Sequence, residues 1–386
     1  MKTIENINLQ GKKVILRSDL NVTIKDGKII DDTRIKASLK TIEYILNQNA
    51  KLLIMSHLGK VKTEEDKEKN DMRIVYDRLN ELLPDKVSFI NDTNYKNIEE
   101  TLSKIDYGKA LLMQNTRYED LVNKKESNCD EELARNWASL GDIFINDAFG
   151  TIHRKHASNY GISCYLPSAI GFLIQEELDH LNILDNPEKP FIVIMGGAKV
   201  SDKVEIIDSM MKKADYILIG GAMANTFLKA KGYEIGSSLY EEEAIVTCKE
   251  LFEKYDNRII LPVDFFGKTN DKKELENLEN ISKDFQILDI GTETINNYKK
   301  LLQQAKTAFW NGPLGLYEEE DFRYGTKEIL EYIKDNVKTV ILGGGDIVSA
   351  SNILGYTKDI TFASTGGGAT LEYLSNHKEP GLINME

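Results

Sequence analysis

Lys199 and Lys203 stand four residues apart in the stretch MGGAKVSDKVEII, residues 195–207, just past the apolar run FIVI and two glycines. A helix beginning near Lys199 would set both ammonium groups on one face. At the end of a strand, such a pair suits a strongly anionic ligand. Glycine follows other strand-like runs in the same half, at IGGAM (219–223), NGPLG (311–315), LGGGD (342–346) and STGGG (364–368). It lets the backbone approach a ligand and aim N–H groups at it. A helix N-terminus adds partial positive charge suited to phosphate. A tight turn explains one such glycine pair, but the repetition points to a nucleotide-like polyphosphate. No GxGxxG occurs, and Gly267-Lys268-Thr269 only imitates the end of a P-loop, because Pro262 stands where the first glycine belongs.

The first half carries a different set. RSDLN (17–21) holds Arg17, Asp19 and Asn21, and Arg34 follows in DDTR. His57 follows KLLIMS, Arg117 follows LLMQNT, and His153 and Arg154 sit in NDAFGTIHRKHAS. Arginine is scarce relative to lysine in this chain, yet it recurs after strands, where its planar fork matches carboxylate or phosphate. Singly, Arg17 and Arg34 read as surface ion pairs and His57 as a satisfied core histidine. As a set they read as a site for a small acid. Chemistry between this site and a polyphosphate in the other half requires the halves to close.

The elements that must position these groups are legible as short apolar runs: KVILR, KLLIM, KALLM and DIFIN, then FIVIM, YILIG, RIILP, TAFWN, TVILGG and ITFAS. Longer stretches with helical spacing separate them, which predicts parallel sheets covered on both faces. Ten strands predict two α/β domains rather than one sheet. The boundary is expected between residues 165 and 190, where LPSAIGFLIQEELDHLNILDNPEKP reads as one amphipathic helix ended by Asp185-Asn186-Pro187. Residues 61–71, VKTEEDKEKND, read as a solvated loop.

Composition sets limits. The 386 residues carry a formal charge of −13, which argues against general nucleic-acid binding. The N-terminal MKTIENINLQGKK has no apolar h-region, and no apolar run approaches the roughly 20 residues of a membrane helix. A cytosolic protein without membrane or nucleic-acid partners is expected. Cys129, Cys164 and Cys248 are scattered and form no CxxC pair, so neither a disulfide framework nor a zinc site is predicted.

The motifs RxDxNV, SHLG, NDAFGTxHRxHAS, GGAKVxDK, WNGPxGxxE, GGGD and STGGGAxLE run in order along almost the whole chain, and together they resemble phosphoglycerate kinase. The resemblance implies two Rossmann-like domains with parallel sheets joined by a hinge helix. It implies an N-terminal phosphoglycerate-binding domain of residues 1–168 plus about 370–386, an interdomain helix of 169–185, and a nucleotide-binding domain of 186–369. It implies a phosphotransferase with a carboxyl acceptor, converting 1,3-bisphosphoglycerate and MgADP to 3-phosphoglycerate and MgATP, reversibly. Mg²⁺ would enter with ADP or ATP, and the family is usually monomeric.

Carried over by matching motif, Asp19, Asn21, Arg34, His57, Arg117 and Arg154 would hold phosphoglycerate. Gly197, Lys199 and Lys203 would face nucleotide phosphates, with Lys199, Lys203 and Arg34 acting in catalysis. Asn311 and Gly312 would line the nucleotide site, and Glu318 would take the ribose hydroxyls. Gly344, Gly345 and Gly366 to Gly368 would lie near the phosphates or the hinge, and Asp346 would bind the metal. Three positions depart from the family's usual residues. Lys60 replaces the arginine of SHLGR, which predicts a weaker substrate grip. Ile347 replaces a threonine after GGGD, which predicts loss of a hydroxyl near the phosphates. Ala222 replaces a glycine and adds a methyl at the adenine pocket. Two alternatives stand beside this reading: a kinase for another small carboxylate, and a nucleotide-binding protein on the same fold without turnover.

Overall fold

The computed structural model describes residues 1–385. The chain divides into two compact units, Met1–Leu178 together with the segment from Lys378 onward, and Asp179–His377. The first division, 178/179, falls inside the expected junction 169–185, and the second falls at 377/378 against an expected boundary near 370. The helix Gly368–Asn376 accounts for the second shift: it packs on Val204–Met211, and Ser209 Oγ donates to Leu374 O at 2.9 Å.

In the first unit six strands form one parallel sheet. Their order is Val87–Ile90, Ala110–Met113, Lys51–Met55, Lys13–Ser18, Ile143–Asp147, Ser168–Ile170. The central strands are buried on both faces, as near-continuous Val, Ile and Leu require. Helices such as Thr33–Asn47 and Arg73–Leu82 cover them with Ile35, Ile42, Ile45, Val75 and Leu79. From Lys13–Ser18 the chain crosses to Lys51–Met55 on one side, and Ile143–Asp147 later joins on the other. The strand order therefore reverses beside Lys13–Ser18, and a crevice opens beyond its carboxyl end. The returning C-terminal segment belongs to this unit: Lys2 N donates to Met385 O at 2.7 Å, and Asn146 Nδ2 to Gly381 O at 2.9 Å.

The second unit repeats the plan. Its parallel order is Ile259–Ile260, Tyr216–Ile219, Phe191–Met195, Thr307–Asn311, Thr339–Leu342, Phe362–Ala363. Here the order reverses between Phe191–Met195 and Thr307–Asn311, whose ends are in register at Met195 and Asn311. An antiparallel sheet of Asp264–Thr269, Lys272–Asn277 and Gln286–Ile290 is added. It contains the Gly267-Lys268-Thr269 tripeptide, which therefore sits in a strand and not before a helix.

All ten apolar runs are strands. Others were not visible as such. Val87–Ile90 and Ser168–Ile170 are too short to show a period. Lys272–Asn277 is almost wholly charged or polar because most of it faces water. Its hairpin turn, Asn270-Asp271 with φ of 48° and 61°, has the two left-handed residues that a type I′ turn needs. Two further expectations are corrected. The stretch read as one helix over 169–185 is a strand, the helix Phe172–Leu181, and a 3₁₀ turn Asn182–Asp185. Residues 61–71 are not a featureless loop, for Glu64–Lys69 is a helix, with Thr63 and Asp66 forming a capping box. The three cysteines are free, and Cys164 is exposed.

The helix Phe172–Leu181 starts on a buried carboxylate. Asp147 Oδ1 accepts from Leu173 N at 2.9 Å and Ile174 N at 3.2 Å. Burial pushes the Asp147 carboxyl up to about 6, although these hydrogen bonds oppose the shift. The native state thus keeps a proton that the unfolded chain releases near pH 4. Stability from this group is full below that value and is lost as pH rises through about 6. Asp147→Ala should cost about 0.5–2 kcal/mol by loss of the cap, measured by denaturant unfolding. Asp147→Asn keeps an acceptor and cannot ionise, so it should flatten the pH dependence of unfolding between 4 and 7 relative to wild type.

Candidate active site: two crevices beyond the strand ends

In the first unit the crevice is lined with cations. Arg17 is fully buried at the end of its strand, an uncommon place for arginine. Its Nε donates to Ser158 Oγ at 2.8 Å and its Nη1 to Ser18 O at 2.5 Å. Nη2 lies 3.1 Å from His57 Nδ1. Arginine has no acceptor, so Nδ1 must accept and Nε2 carries the ring proton. Burial first, then Arg17, Arg117 and Arg154, holds the His57 pKa well below the ordinary range. His57 is therefore a neutral hydrogen-bond donor and not a cation. His156, buried nearby, is lowered to about 3 by burial and by Arg117 and Arg17. The bland reading of Arg17 as a surface ion pair is excluded.

The remaining predicted residues of this unit join the same strand ends. Arg34 lies in the first turn of Thr33–Asn47, not directly after a strand, and its Nη1 reaches both Asp19 oxygens at 3.0 Å. Asp19 is buried, with Arg34 as its ion-pair partner and Asn21 N donating to its Oδ1 at 3.3 Å. Asn21 Oδ1 accepts from Gly59 N at 2.8 Å and fixes the loop that carries His57. Arg117 sits in a 3₁₀ turn, Thr116–Asp120, after Ala110–Met113. Arg154 is exposed, donates to His153 Nε2 at 3.1 Å, and is near enough to act on His57 and His156. Lys60 and Arg117 line one cavity of about 950 Å³.

Sequence reasoning missed the groups that hold these cations. Asn115 is fully buried: its Oδ1 accepts from Leu58 N at 3.2 Å and Arg117 N at 3.0 Å, and its Nδ2 donates to Leu58 O at 2.7 Å. It ties the His57 loop to the Arg117 turn. Glu126 is also fully buried, and burial raises its pKa against the pull of Arg17. The only sequence signal was an acid and two small polar residues, Asn115, Glu126 and Ser127, near arginine.

In the second unit the crevice is built of backbone. Gly196 N donates to Asn311 O, Gly197 N to Pro313 O and Gly221 N to Leu314 O, each at 2.8 Å. The loops touch so closely that a Cβ on Gly196 would lie 2.0 Å from Pro313 O, and one on Gly312 2.4 Å from Gly196 O. Only glycine fits there. Behind them opens a cavity of about 350 Å³ lined by Gly197, Ala222, Leu314, Tyr317, Glu318 and Asp346 among others. Its walls are mostly apolar with a few polar groups, as in small-molecule sites.

Lys203 is the one predicted cation held inside this construction. Its Nζ donates to Gly196 O. Desolvation lowers its pKa to about 8, opposed by the charges of Asp346 and Asp202. Lys199 is exposed and is not at the cavity wall. The expected shared helical face does not exist. The helix begins only at Val204, and Ser201–Lys203 is a 3₁₀ turn. The Glu241 carboxylate takes Val200 N at 2.9 Å and Ser201 N at 3.0 Å and so anchors this segment.

Asn311 is buried, with Nδ2 donating to Gly343 O at 2.5 Å and Oδ1 without a partner. Gly344 precedes the helix Gly345–Leu354 with φ of 113°, and Asp346 lies exposed in that helix's first turn. Gly366 N donates to Ser364 Oγ at 3.2 Å ahead of the helix Gly368–Asn376. Gly366 to Gly368 are not at the cavity wall. Ile347 is fully buried in the apolar core with Leu342 and Val340. The same cluster takes in Leu314 and Ile290, so Ile347 packs as core behind the cavity, of which it is not a lining residue.

Known proteins match the whole chain. The phosphoglycerate kinase family model covers residues 4–377. A phosphoglycerate kinase of Macrococcus caseolyticus is 45% identical, the match covering 100% of this chain and 98% of the relative. One of Listeria monocytogenes serotype 4b is 47% identical with the same coverage. Among solved structures, phosphoglycerate kinase of Coxiella burnetii aligns with a TM-score of 0.88 at 36% identity, over 99% of this chain and 98% of that one. The Pyrococcus horikoshii OT3 enzyme aligns at 0.86 with 32% identity, over 100% and 98%. By its two parallel sheets, its strand-end crevices and these matches, the chain belongs to the phosphoglycerate kinase family.

Proposed function

We propose that the chain transfers a phosphoryl group reversibly between 1,3-bisphosphoglycerate and MgADP, giving 3-phosphoglycerate and MgATP. The first unit holds phosphoglycerate through Asp19, Asn21, Arg34, His57, Arg117 and Arg154. The second holds the nucleotide through Gly197, Lys199, Lys203, Asn311, Gly312, Glu318, Gly344, Gly345 and Asp346. The observation that carries the reading is Lys203, a desolvated ammonium bound to Gly196 O within electrostatic reach of Asp346. That pairing suits a magnesium-bound polyphosphate. Magnesium keeps several waters and takes one or two carboxylates plus phosphate oxygens, so Asp346 alone fits it.

In the direction of ATP use, a carboxylate oxygen of 3-phosphoglycerate attacks the terminal phosphorus, the bond to the bridging oxygen breaks, and ADP leaves with the electron pair. The carboxylate is already ionised near pH 7, so no general base is needed. The transition state spreads negative charge over the equatorial oxygens, and fixed cations stabilise it. Lys203 and Arg34 supply them, while Lys199 neutralises nucleotide phosphate. Neutral His57 donates Nε2–H to the bound acid. Arg34 is aimed by Asp19, whose two oxygens it contacts. In-line transfer requires acceptor and donor to meet, so the two units close during turnover. A cytosolic monomer is part of this reading, supported by the soluble substrates.

The test is a coupled assay with MgATP and 3-phosphoglycerate, detecting the acyl phosphate by its reduction, with magnesium omitted or glycerate substituted as controls. Magnesium-dependent turnover that needs the 3-phosphate supports both half-sites. Folded protein that binds MgADP without turnover would instead favour a nucleotide-binding role. Arg34→Ala and Lys203→Ala should each lower turnover by about 10²–10³, the order seen for lost electrostatic stabilisers. A rise in KM alone would make the residue a ground-state binder. Because Lys203 is charged only below about 8 in the free protein, kcat/KM for nucleotide should fall as pH rises through that value. Lys203→Arg should shift the fall to higher pH.

A further inference from the structure

We propose that Ser127 and Asp120 are positioning residues that aim Arg117 at the substrate's phosphate. This rests on the reading above that Arg117 contacts phosphoglycerate. Arg117 Nη1 donates to Asp120 Oδ2 at 2.7 Å and also to Ser127 Oγ. The Ser127 hydroxyl donates in turn to Asp120 Oδ2 at 2.5 Å, and Ser127 N donates to Asp120 Oδ1 at 2.8 Å. The three side chains close a ring, with Arg117 and Asp120 only 13% and 8% exposed. Asp120 Oδ2 takes both side chains and Oδ1 the Ser127 amide, and as an acceptor-only anion Asp120 offers a phosphate no hydrogen bond, so it acts through Arg117.

The ring fixes one end of the guanidinium and leaves the other. Arg117 Nε is buried and makes no hydrogen bond among the described residues, an arrangement that demands a reason in a native site. A phosphate that reaches the Nε edge from the adjoining cavity, with the side chain shifting to open that edge, would supply the missing partner by the bidentate geometry arginine favours. The surrounding cavity adds Lys60, Lys62 and Lys124 to Arg117 against the single carboxylate of Asp120, so its charge suits an anion. Preorganising a long side chain removes an ordering cost from binding. The device occurs twice. Ser158 Oγ accepts from Arg17 Nε at 2.8 Å and donates to Glu126 Oε1 at 2.5 Å. Adjacent residues, Glu126 and Ser127, thus serve two arginine–serine–carboxylate relays, one per arginine.

The experiment is steady-state kinetics on full-length Ser127→Ala, Ser127→Thr, Asp120→Asn and Arg117→Ala, with thermal unfolding of each. Ser127→Ala and Asp120→Asn should raise KM for 3-phosphoglycerate by about tenfold, with kcat and KM for MgATP within about twofold of wild type. Ser127→Thr keeps the hydroxyl and should restore the wild-type KM. In an Arg117→Ala background, Ser127→Ala should add nothing, because residues acting as one unit are non-additive. If Arg117→Ala raises that KM and Ser127→Ala and Asp120→Asn do not, the positioning role is overturned. Equal loss for both substrates that persists without Arg117 would make the ring a fold-stability feature and overturn it too. If Arg117→Ala itself leaves KM for 3-phosphoglycerate unchanged, the substrate assignment of Arg117 fails first, and the proposal with it.

Discussion

Three strand-end loops of the second unit meet backbone to backbone, and the crevice exists only because they can. The contacts Gly196–Asn311, Gly197–Pro313 and Gly221–Leu314 are main-chain hydrogen bonds of 2.8 Å. A side chain at Gly196 would overlap Pro313 O. Lys203 takes the Gly196 carbonyl beside these contacts, and the same loops line the cavity with Gly197, Gly221, Pro313 and Leu314. Backbone dipoles of this kind are fixed in place before any ligand arrives, so they cost no reorganisation during reaction.

The first unit meets the opposite difficulty. It gathers Arg17, Arg117, Arg154, His57 and His156 at one end of a sheet, where they repel one another. The structure answers in two ways. The histidines stay neutral, because burial and the neighbouring arginines disfavour their charged forms. The arginines cannot follow suit, so buried or half-buried acids hold them: Glu126 through Ser158, Asp120 directly, and Asp19 against Arg34. The residual charge is positive, as an acid substrate requires, and the protein's overall charge of −13 makes this a local field against an acidic background.

Much of this was legible in the chain. Apolar β-branched runs marked ten strands, since a strand buried on both faces must be apolar throughout. Glycine after strands marked the second crevice, and arginine marked the first, although Arg17 lies within its strand and Arg34 in a helix's first turn. Strands whose side chains face water, such as Lys272–Asn277, carried no such mark. Nor did Ser168–Ile170, three residues long and read as helix because apolar residues follow it.

The sequence by itself determined which chemical groups lie beyond which strands, because burial dictates residue type position by position and the strand ends follow. It also placed glycine wherever backbones must touch. Only the tertiary structure decided what each charged group does next. Lys203 turns inward and Lys199 outward although their spacing is helical, because the helix starts only at Val204 and the segment before it is a 3₁₀ turn anchored by Glu241, some 40 residues on. Ile347 proved to be core, buried in the apolar cluster that holds Val340, Leu342 and Leu314. His57 became a neutral donor only when Arg17, 40 residues away in sequence, reached its Nδ1. Protonation state and side-chain direction depend on neighbours brought together by folding, and those neighbours leave no local trace in the chain.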